Sequence, residues 1–491
     1  MIHTTPTKAL LATTLRPLVV QLSSSLAHGA RRIDHFLHQE PTPQKMATFE
    51  RELRTLLQEV GRRIMAWVLN HMEPERPEEM PARLWLKGQA SRRRRKHRTT
   101  IATLFGTVDV WRRLYEPLVS GSRSIHPLEL RLGLEAGVAT PALAERIGIW
   151  AADHSQRHVL EMLRHDHGVP WSCTTLRTLL SSLSAGLAPY RQAAQVDRVV
   201  GWLPQARASN GRFQPTLAVG RDGVNVPMRH GEWKEGSTAT VSVLHRRGKR
   251  VGTGYLGQMP EPGQPTLTAQ LTALLQDILR QVDAQGLRLV SVSDDGYHPS
   301  DYYHSVLKKM IDPKRPWRPL AWIRIVDYSH ACLSIKQLAD ALFGPTATGR
   351  AWAKQMRKSM KTQSDGITRV LQSAAALRRQ HGLWGQPASD DQAYASLKKR
   401  THWMRYRHCR SQGLPIGSGI TEAACKIVFT QRLKRSGMSW TIEGGQVILD
   451  LRVVWLSGVW SEVHQRYLAS KPMPDTQADM VTDTQHEQQA A

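Results

Sequence analysis

The stretch LRLVSVSDDG, residues 287–296, decides how this chain is read. It is a short apolar run that predicts a strand, and it ends in Asp294, Asp295 and Gly296. Two carboxyls therefore stand at the carboxyl end of a strand, where open α/β sheets place their ligands. Successive side chains on an extended strand point to opposite faces, so one of the two acids at most can face a given site.

Working outward, FQPTLAVGRDGVNVPM (213–228), STATVSVLHRRGKR (237–250) and VGTGYLGQM (251–259) read as three strands. TLTAQLTALLQDILRQV (266–282) has the spacing of an amphipathic helix, and LAWIRIVDYSH (320–330) reads as a fifth strand. Three strands, a helix, a strand and another strand predict an α/β fold with a mixed sheet and helices on its faces. KQLADALFG (336–344) and ITRVLQSAAALRRQ (367–380) return to helical spacing, followed by the basic LKKRTHWMRYRHCR (397–410).

Upstream, FERELRTLLQEVGRRIMAWVLNHM (49–72) places Leu53, Leu56, Leu57, Val60, Ile64 and Val68 on one helical face, for core packing or self-association. SRRRRKHR (91–98) is a block of like charge, either a solvated linker or a phosphate-contacting arm. TTIATLFGTVDVW (99–111) alternates about Gly106 as a β-hairpin does. In SQRHVLEMLRHDHGVPWSCTTLRTLLSSL (155–183), a helix carrying Val159, Leu160 and Leu163 stops at Gly168, and a second begins at Ser172 with Leu176, Leu179 and Leu180 inward. That is the outline of a helix-turn-helix, with Thr175 and Arg177 facing outward, although short helical hairpins also occur without DNA.

With 67 Lys+Arg against 41 Asp+Glu, the net charge is +26. Such an excess suits a polyanionic partner, and nucleic acid is the first candidate. An anionic membrane surface fits less well, because no helix has one cationic and one bulky apolar face, and no apolar run is long enough to span a bilayer. The four cysteines, Cys173, Cys332, Cys409 and Cys425, lack metal-site spacing, and a reducing cytosol is expected. ALLATTLRPLVVQL (9–22) resembles a signal-peptide core but is interrupted by Arg16 and Pro17. The segment PMPDTQADMVTDTQHEQQAA (472–491) has few large apolar residues and predicts a disordered tail from about residue 468.

Enzymes that cut phosphodiesters with two divalent cations need several carboxylates at one point, because hard Mg²⁺ prefers oxygen and the ions flank the phosphate about 4 Å apart. Beyond Asp294 and Asp295, two further acids are placed to contribute. Asp222, in LAVGRDGVNVPM, reads on its own as half of an Asp-Gly hairpin turn. Glu422 lies in GSGITEAACKIVFTQRLKRSGMSW (417–440), where Gly417, Ser418 and Gly419 make a turn, Ser418 or Thr421 can cap a helix, and a first-turn acid complements its dipole. The rest of that helix surface reads as cationic, with Lys426, Arg432, Lys434 and Arg435.

These three acids, the VDYSHA stretch and above all the GSGITEAACK…RLKRSGMSW block resemble the DDE transposases of bacterial insertion sequences, specifically the ISKra group, related more loosely to Mutator-type enzymes. The resemblance covers roughly residues 215–460 and is weak before them. It implies a ribonuclease H-like mixed sheet (205–335 and 413–467) with an all-helical insertion (336–412); before it, the residues themselves read as a mainly helical DNA-binding region, 1–90 helical, 91–120 basic arm and hairpin, 121–200 helix-turn-helix. It further implies a catalytic triad of Asp222, Asp295 and Glu422 with Asp294 as the alternative second acid, two Mg²⁺ with Mn²⁺ as a substitute, and a supporting pair, Asp327 and His330. Expected DNA contacts are Arg92, Arg93, Arg94, Arg95, Arg177, Lys426, Arg432, Lys434 and Arg435; Trp440 is either a stacking platform or core. His330 with Cys332 reads as a packed pair, so no zinc is expected. The function so implied is strand cleavage and transfer at the ends of a mobile element, in double-stranded DNA, by a homo-oligomer in the bacterial cytoplasm. The alternatives are a nuclease or resolvase of the same fold without strand transfer, and a catalytically silent DNA-binding regulator.

Overall fold

In the computed structural model the described residues are 8–73, 80–86, 89–119, 124–294, 296–380 and 389–471, and they divide into two compact units. The first is residues 1–186 with 464–491, and the second is residues 187–463. The expected tail at 472–491 lies outside the described residues.

The first unit begins with a helical hairpin, α1 (Lys8–Leu37) and α2 (Pro43–His71), in which Phe36 stacks on Phe49 with ring centroids 4.4 Å apart. Thr42 caps α2, accepting from the Lys45 N–H at 3.2 Å, and Pro43 supplies the preset φ of a first helical residue. Three antiparallel strands follow, β1 (Arg83–Leu86), β2 (Gln89–Thr103) and β3 (Gly106–Pro117). The apolar side of β2 and β3, with Ile101, Val108 and Val110, packs with Leu69 of α2.

Here the structure corrects the sequence reading twice. Strand begins at Arg83, inside the segment expected to be helical, and the basic run is no arm: residues 91–98 are the middle of β2. The like charges are tolerated because β3 supplies acids across the ladder. Arg94 pairs with Glu116 at 2.7 Å and Arg98 with Asp109, while an irregularity between Arg93 and Lys96 splays the arginines.

The helical pair expected at 155–183 is α5 (Gln156–His167) and α6 (Cys173–Ala208), which follow α3 (Pro127–Arg131) and α4 (Pro141–Asp153). Gly168 ends α5 with φ 63°, a left-handed conformation that costs glycine little, and Ser172 receives the Thr175 N–H at 3.1 Å to start α6. Val159, Leu163, Leu176, Leu179 and Leu180 are buried, as their spacing predicts. Helix α6, however, runs 36 residues, far longer than a compact recognition helix. The chain also returns to this unit at its far end. In α17 (Trp460–Ala469), which covers the predicted start of the tail at 468, Tyr467 donates to Glu135 at 2.7 Å, and Lys471 just beyond it donates to Glu135 at 3.0 Å.

The second unit is α/β. Strands β4 (Thr216–Pro227), β5 (Trp233–Leu244) and β6 (Arg250–Gln258) form an antiparallel meander, α7 (Pro265–Gln281) crosses, and β7 (Arg288–Ser293) joins parallel to β4. After α8 (Tyr297–Ser305) and a two-stranded ribbon, β8 (Ile311–Asp312) with β9 (Arg315–Pro319), strand β10 (Trp322–Val326) lies parallel to β7. The five-stranded order is β10-β7-β4-β5-β6. Alternation decides what covers each face: Leu289 packs with the α7 leucines, whereas Val290 and Val292 pack with α9 (Tyr328–Phe343), α10 (Ala347–Thr362) and α11 (Gly366–Gln380). The helical segment continues through α12 (Ser389–Lys399) and α13 (Tyr406–Ser411) before the chain returns to the sheet as α14 (Gly419–Ala424), a π-helical turn (Cys425–Thr430) and α15 (Gln431–Leu433), then α16 (Ile442–Leu456).

Candidate functional site

The expected hairpin turn at Asp222 does not occur. Strand β4 runs straight through it, pairing Asp222 with Thr238 and Gly223 with Ser237, and turns only after Pro227. Asp222 thus sits on the central strand, and Asp294 follows the end of β7, the strand parallel to it. Asp295 lies outside the described residues.

Glu422 reaches the same place from α14, which crosses β4 and β5. Thr421 makes the crossing close: its hydroxyl lies 2.9 Å from that of Thr240 on β5, and a Cβ added at Gly220 of β4 would come within 1.9 Å of Thr421 Oγ1. A methyl group at 220 would push the helix off the sheet. Gly220→Ala is accordingly expected to cost about 1–3 kcal/mol, read from the urea midpoint, and to lower any activity that needs Glu422. Neither hydroxyl proposed as a cap serves as one. Ser418 stands at the N-cap but its Oγ donates instead to Glu422 Oε1 at 2.6 Å, which aims the carboxylate.

Burial pushes the Asp222 carboxyl above its ordinary range, and the negative charges of Asp294 and Glu422 add to the shift. Two donors act the other way, the Cys425 thiol at 3.3 Å from Oδ2 and the Gly223 N–H at 2.8 Å from Oδ1. Burial also pushes the Cys425 thiol up, with Asp222, Glu422 and Asp294 adding to it. Three carboxyls therefore share one electrostatic neighbourhood. Beside them opens a cleft of about 420 Å³ lined by Asp222, Asp294, Glu235, Gln264, Tyr297 and His298.

Because the Asp222 pKa is raised in the fold, its ionised form is disfavoured there relative to the unfolded chain. Stability is lost as pH rises from the ordinary aspartate range through the raised value. Asp222→Asn is therefore expected to raise the Tm at neutral pH.

Asp327 and His330 hold the frame. Asp327 is fully buried at the end of β10, where Oδ1 accepts the Ser418 N–H at 2.8 Å, and Oδ2 accepts the His330 N–H and lies 2.9 Å from His330 Nδ1. Its own N–H donates to Ser293 at 2.8 Å, and Tyr328 N–H to Ile416 at 2.9 Å. Asp327 thus ties the end of β10 to the end of β7 through its backbone N–H, and to the loop that launches α14 through its carboxylate. Ligand atoms of Asp327, His330 and Glu422 lie within 4.8 Å of one another. The N–H donors on both Asp327 oxygens orient the loop and the imidazole within that cluster.

The expected cationic surface beyond Glu422 is only partly present. Lys426 and Arg435 are exposed, and Lys434 is half-buried with Nζ 5.4 Å from the Trp233 ring centre. Arg432 is 0% exposed, its guanidinium 5.4 Å from the Trp440 ring centre, and cannot meet a phosphate without moving. The physical reason is spacing: Arg432 follows the buried Val428 and Phe429 by four and three residues and so lies on their side of the chain, away from Lys426. Trp440 is built into the fold: its indole N–H donates to Leu433 at 2.8 Å, and its backbone pairs with Pro227 and Arg229. In the first unit, Arg92, Arg94 and Arg95 are exposed, Arg93 is half-buried with a guanidinium bond to Met80, and Arg177 is exposed and bonded to Gln156 at 3.0 Å.

Sequence reasoning did not single out Cys425 or Glu235. Cys425 follows Glu422 by three residues, one helical turn, which is a usable signal. Glu235 reaches the cleft only through strand register: a Cβ at Gly223 would lie 2.5 Å from its carboxyl carbon. No protein-family model matches this chain. No curated protein matches it either. Among the described residues, no helix is long and apolar enough to cross a membrane.

Proposed function

We propose that the chain is a DNA transposase that cuts phosphodiesters at the ends of a mobile element and transfers the resulting 3′-hydroxyl to target DNA. The observation that carries this reading is the convergence of Asp222, Asp294 and Glu422, from a central strand, the end of its parallel neighbour and a crossing helix. The strand order β10-β7-β4-β5-β6, three antiparallel strands extended by two parallel ones, agrees with a ribonuclease H-like fold. The helical stretch α9–α13 then takes the part of the insertion between the second and third acids.

The donor set fits hard divalent cations. It offers carboxylate oxygens whose strongest charge neighbours are other carboxylates, a cost that bound cations would relieve. Asp222 and Glu422 would hold them together with one of the adjacent pair, Asp295 by the resemblance or Asp294, which lies beside Asp222. When bound, two Mg²⁺ would activate the attacking oxygen and stabilise the leaving one. The chain's own residues do the rest: Ser418 aims Glu422, Asp327 fixes the loop beneath it, and Lys426 and Arg435 neutralise phosphate charge along the exposed side. Arg92, Arg94, Arg95 and Arg177 supply further cations for the element's ends, and joining two ends in one reaction requires at least a dimer.

The test is joining of labelled element ends to a plasmid in Mg²⁺. Joined product supports transfer, whereas cutting with no joining points to a nuclease of the same fold. Exchanging Asp294→Asn and Asp295→Asn separately assigns the second acid by which loss is larger. DNA binding is expected to weaken steeply with salt, log K falling against log salt with a slope of about −0.9 per phosphate contacted.

A further inference from the structure

The ribbon β8–β9 leaves an indole in water. Trp317, on β9 between Pro316 and Arg318, is 81% exposed, and its only exposed large apolar neighbour on the ribbon is Ile311, at 53%. An isolated exposed tryptophan without a surrounding apolar patch makes a poor protein-docking surface, which needs a contiguous desolvated core.

The surrounding charge suits another partner. Lys308, Lys309 and Arg318 are exposed and form no ion pair among the described residues. The acids nearby are already engaged: Asp283 holds Arg315 through both oxygens at 3.0 and 3.1 Å, and Asp312 is buried, accepting the Lys314 N–H at 2.9 Å and Arg315 at 3.2 Å. These bonds fix the ribbon, and Leu320 N–H to Met310 at 2.9 Å closes its base. The result is a hairpin fixed at its base that carries an exposed indole next to Arg318 on β9, with Lys308 and Lys309 on the turn that leads into β8.

Its position separates it from the candidate site. The ribbon feeds the amino-terminal end of β10, whereas Asp294 and Asp327 follow the carboxyl ends of β7 and β10. The length of β10, on the order of 15 Å at about 3.3 Å per residue, lies between them. Trp317 therefore lies away from the candidate site.

We propose that Trp317 stacks on an unpaired base of a DNA strand, with Lys308, Lys309 and Arg318 contacting the adjacent phosphates. The inference rests on the reading of the chain as a DNA enzyme and adds a second contact that prefers splayed over fully paired DNA. Stacking on an aromatic face suits any base, so the contact selects structure and not sequence.

The experiment measures fluorescence anisotropy of the full chain with two labelled DNAs of equal length, one a blunt duplex and the other carrying an unpaired arm. Trp317→Ala is expected to weaken binding to the splayed DNA by about tenfold, leaving the blunt duplex and the Tm unchanged. Trp317→Phe should retain most of the splayed-DNA preference. Arg318→Ala should flatten the salt dependence by about one unit of slope, whereas Trp317→Ala leaves the slope as it was. Equal binding of splayed DNA by parent and Trp317→Ala overturns the inference, as does a Trp317→Ala protein that binds DNA normally but loses self-association. A parent that binds neither DNA brings down the transposase reading itself, which keeps the two failures apart.

Discussion

Replacing Glu422 with glutamine is expected to reduce strand cleavage and joining by about a thousandfold or more, while the urea midpoint stays within experimental error of the parent. The substitution keeps the length of the side chain and an oxygen for the Ser418 hydroxyl, which now donates to Oε1 at 2.6 Å. It removes the charge. If Glu422 were only a first-turn acid complementing a helix dipole, its loss would cost about 0.3–1 kcal/mol of stability and nothing in chemistry. Full activity in Glu422→Gln would thus remove the residue from the site, whereas a large loss of activity at constant stability is what a cation ligand shows.

The second large effect is expected at Asp327, and there stability and activity should fall together. The carboxylate is fully buried and serves the backbone N–H groups of Ser418 and His330, together with the imidazole. Asp327→Ala would leave these donors without their acceptor at a cost of about 3 kcal/mol. It would also free the loop at Gly417–Ser418, so that Glu422 is no longer aimed. Asp327→Asn keeps the volume and one acceptor oxygen and is expected to fall between the two. A stable Asp327→Ala protein with parental activity would mean that α14 is held in place by the Thr421–Thr240 contact alone.

The strands of the second unit were legible because their apolar alternation is regular and their turns are marked. Residues 213–228, 287–296 and 320–330 contain β4, β7 and β10, whereas β5 begins at Trp233, ahead of the stretch 237–250 read for it, and β6 begins at Arg250, just ahead of 251–259. The basic run at 91–98 was not legible as strand, because the Asp109 and Glu116 that balance it arrive only by cross-strand pairing. Nor was the ribbon at 311–319, which is short, proline-flanked and without alternation. At the site, local sequence marked the pair Asp294 and Asp295 and marked Glu422, while the resemblance chose Asp295, which lies outside the described residues, and carried Asp222, whose Asp-Gly pair taken alone spells a turn. Arg432 was misplaced because its charge was read as exposure, although its spacing of four and three residues from Val428 and Phe429 puts it on their buried face. The return of the chain to the first unit from His464 onward was likewise hidden, since it depends on Tyr467 and Lys471 meeting Glu135, more than 300 positions earlier.

The most direct measurement is oxidative affinity cleavage with Fe²⁺ in place of Mg²⁺, in which ascorbate and peroxide generate hydroxyl radicals at the bound ion and cut the nearest backbone. Cuts are predicted at three separate places, beside residues 222, 294 and 422, all suppressed by excess Mg²⁺ and all lost together in Glu422→Gln. Cutting confined to one of these segments, or persisting unchanged in Glu422→Gln, would contradict the claim that the three acids share one cation site.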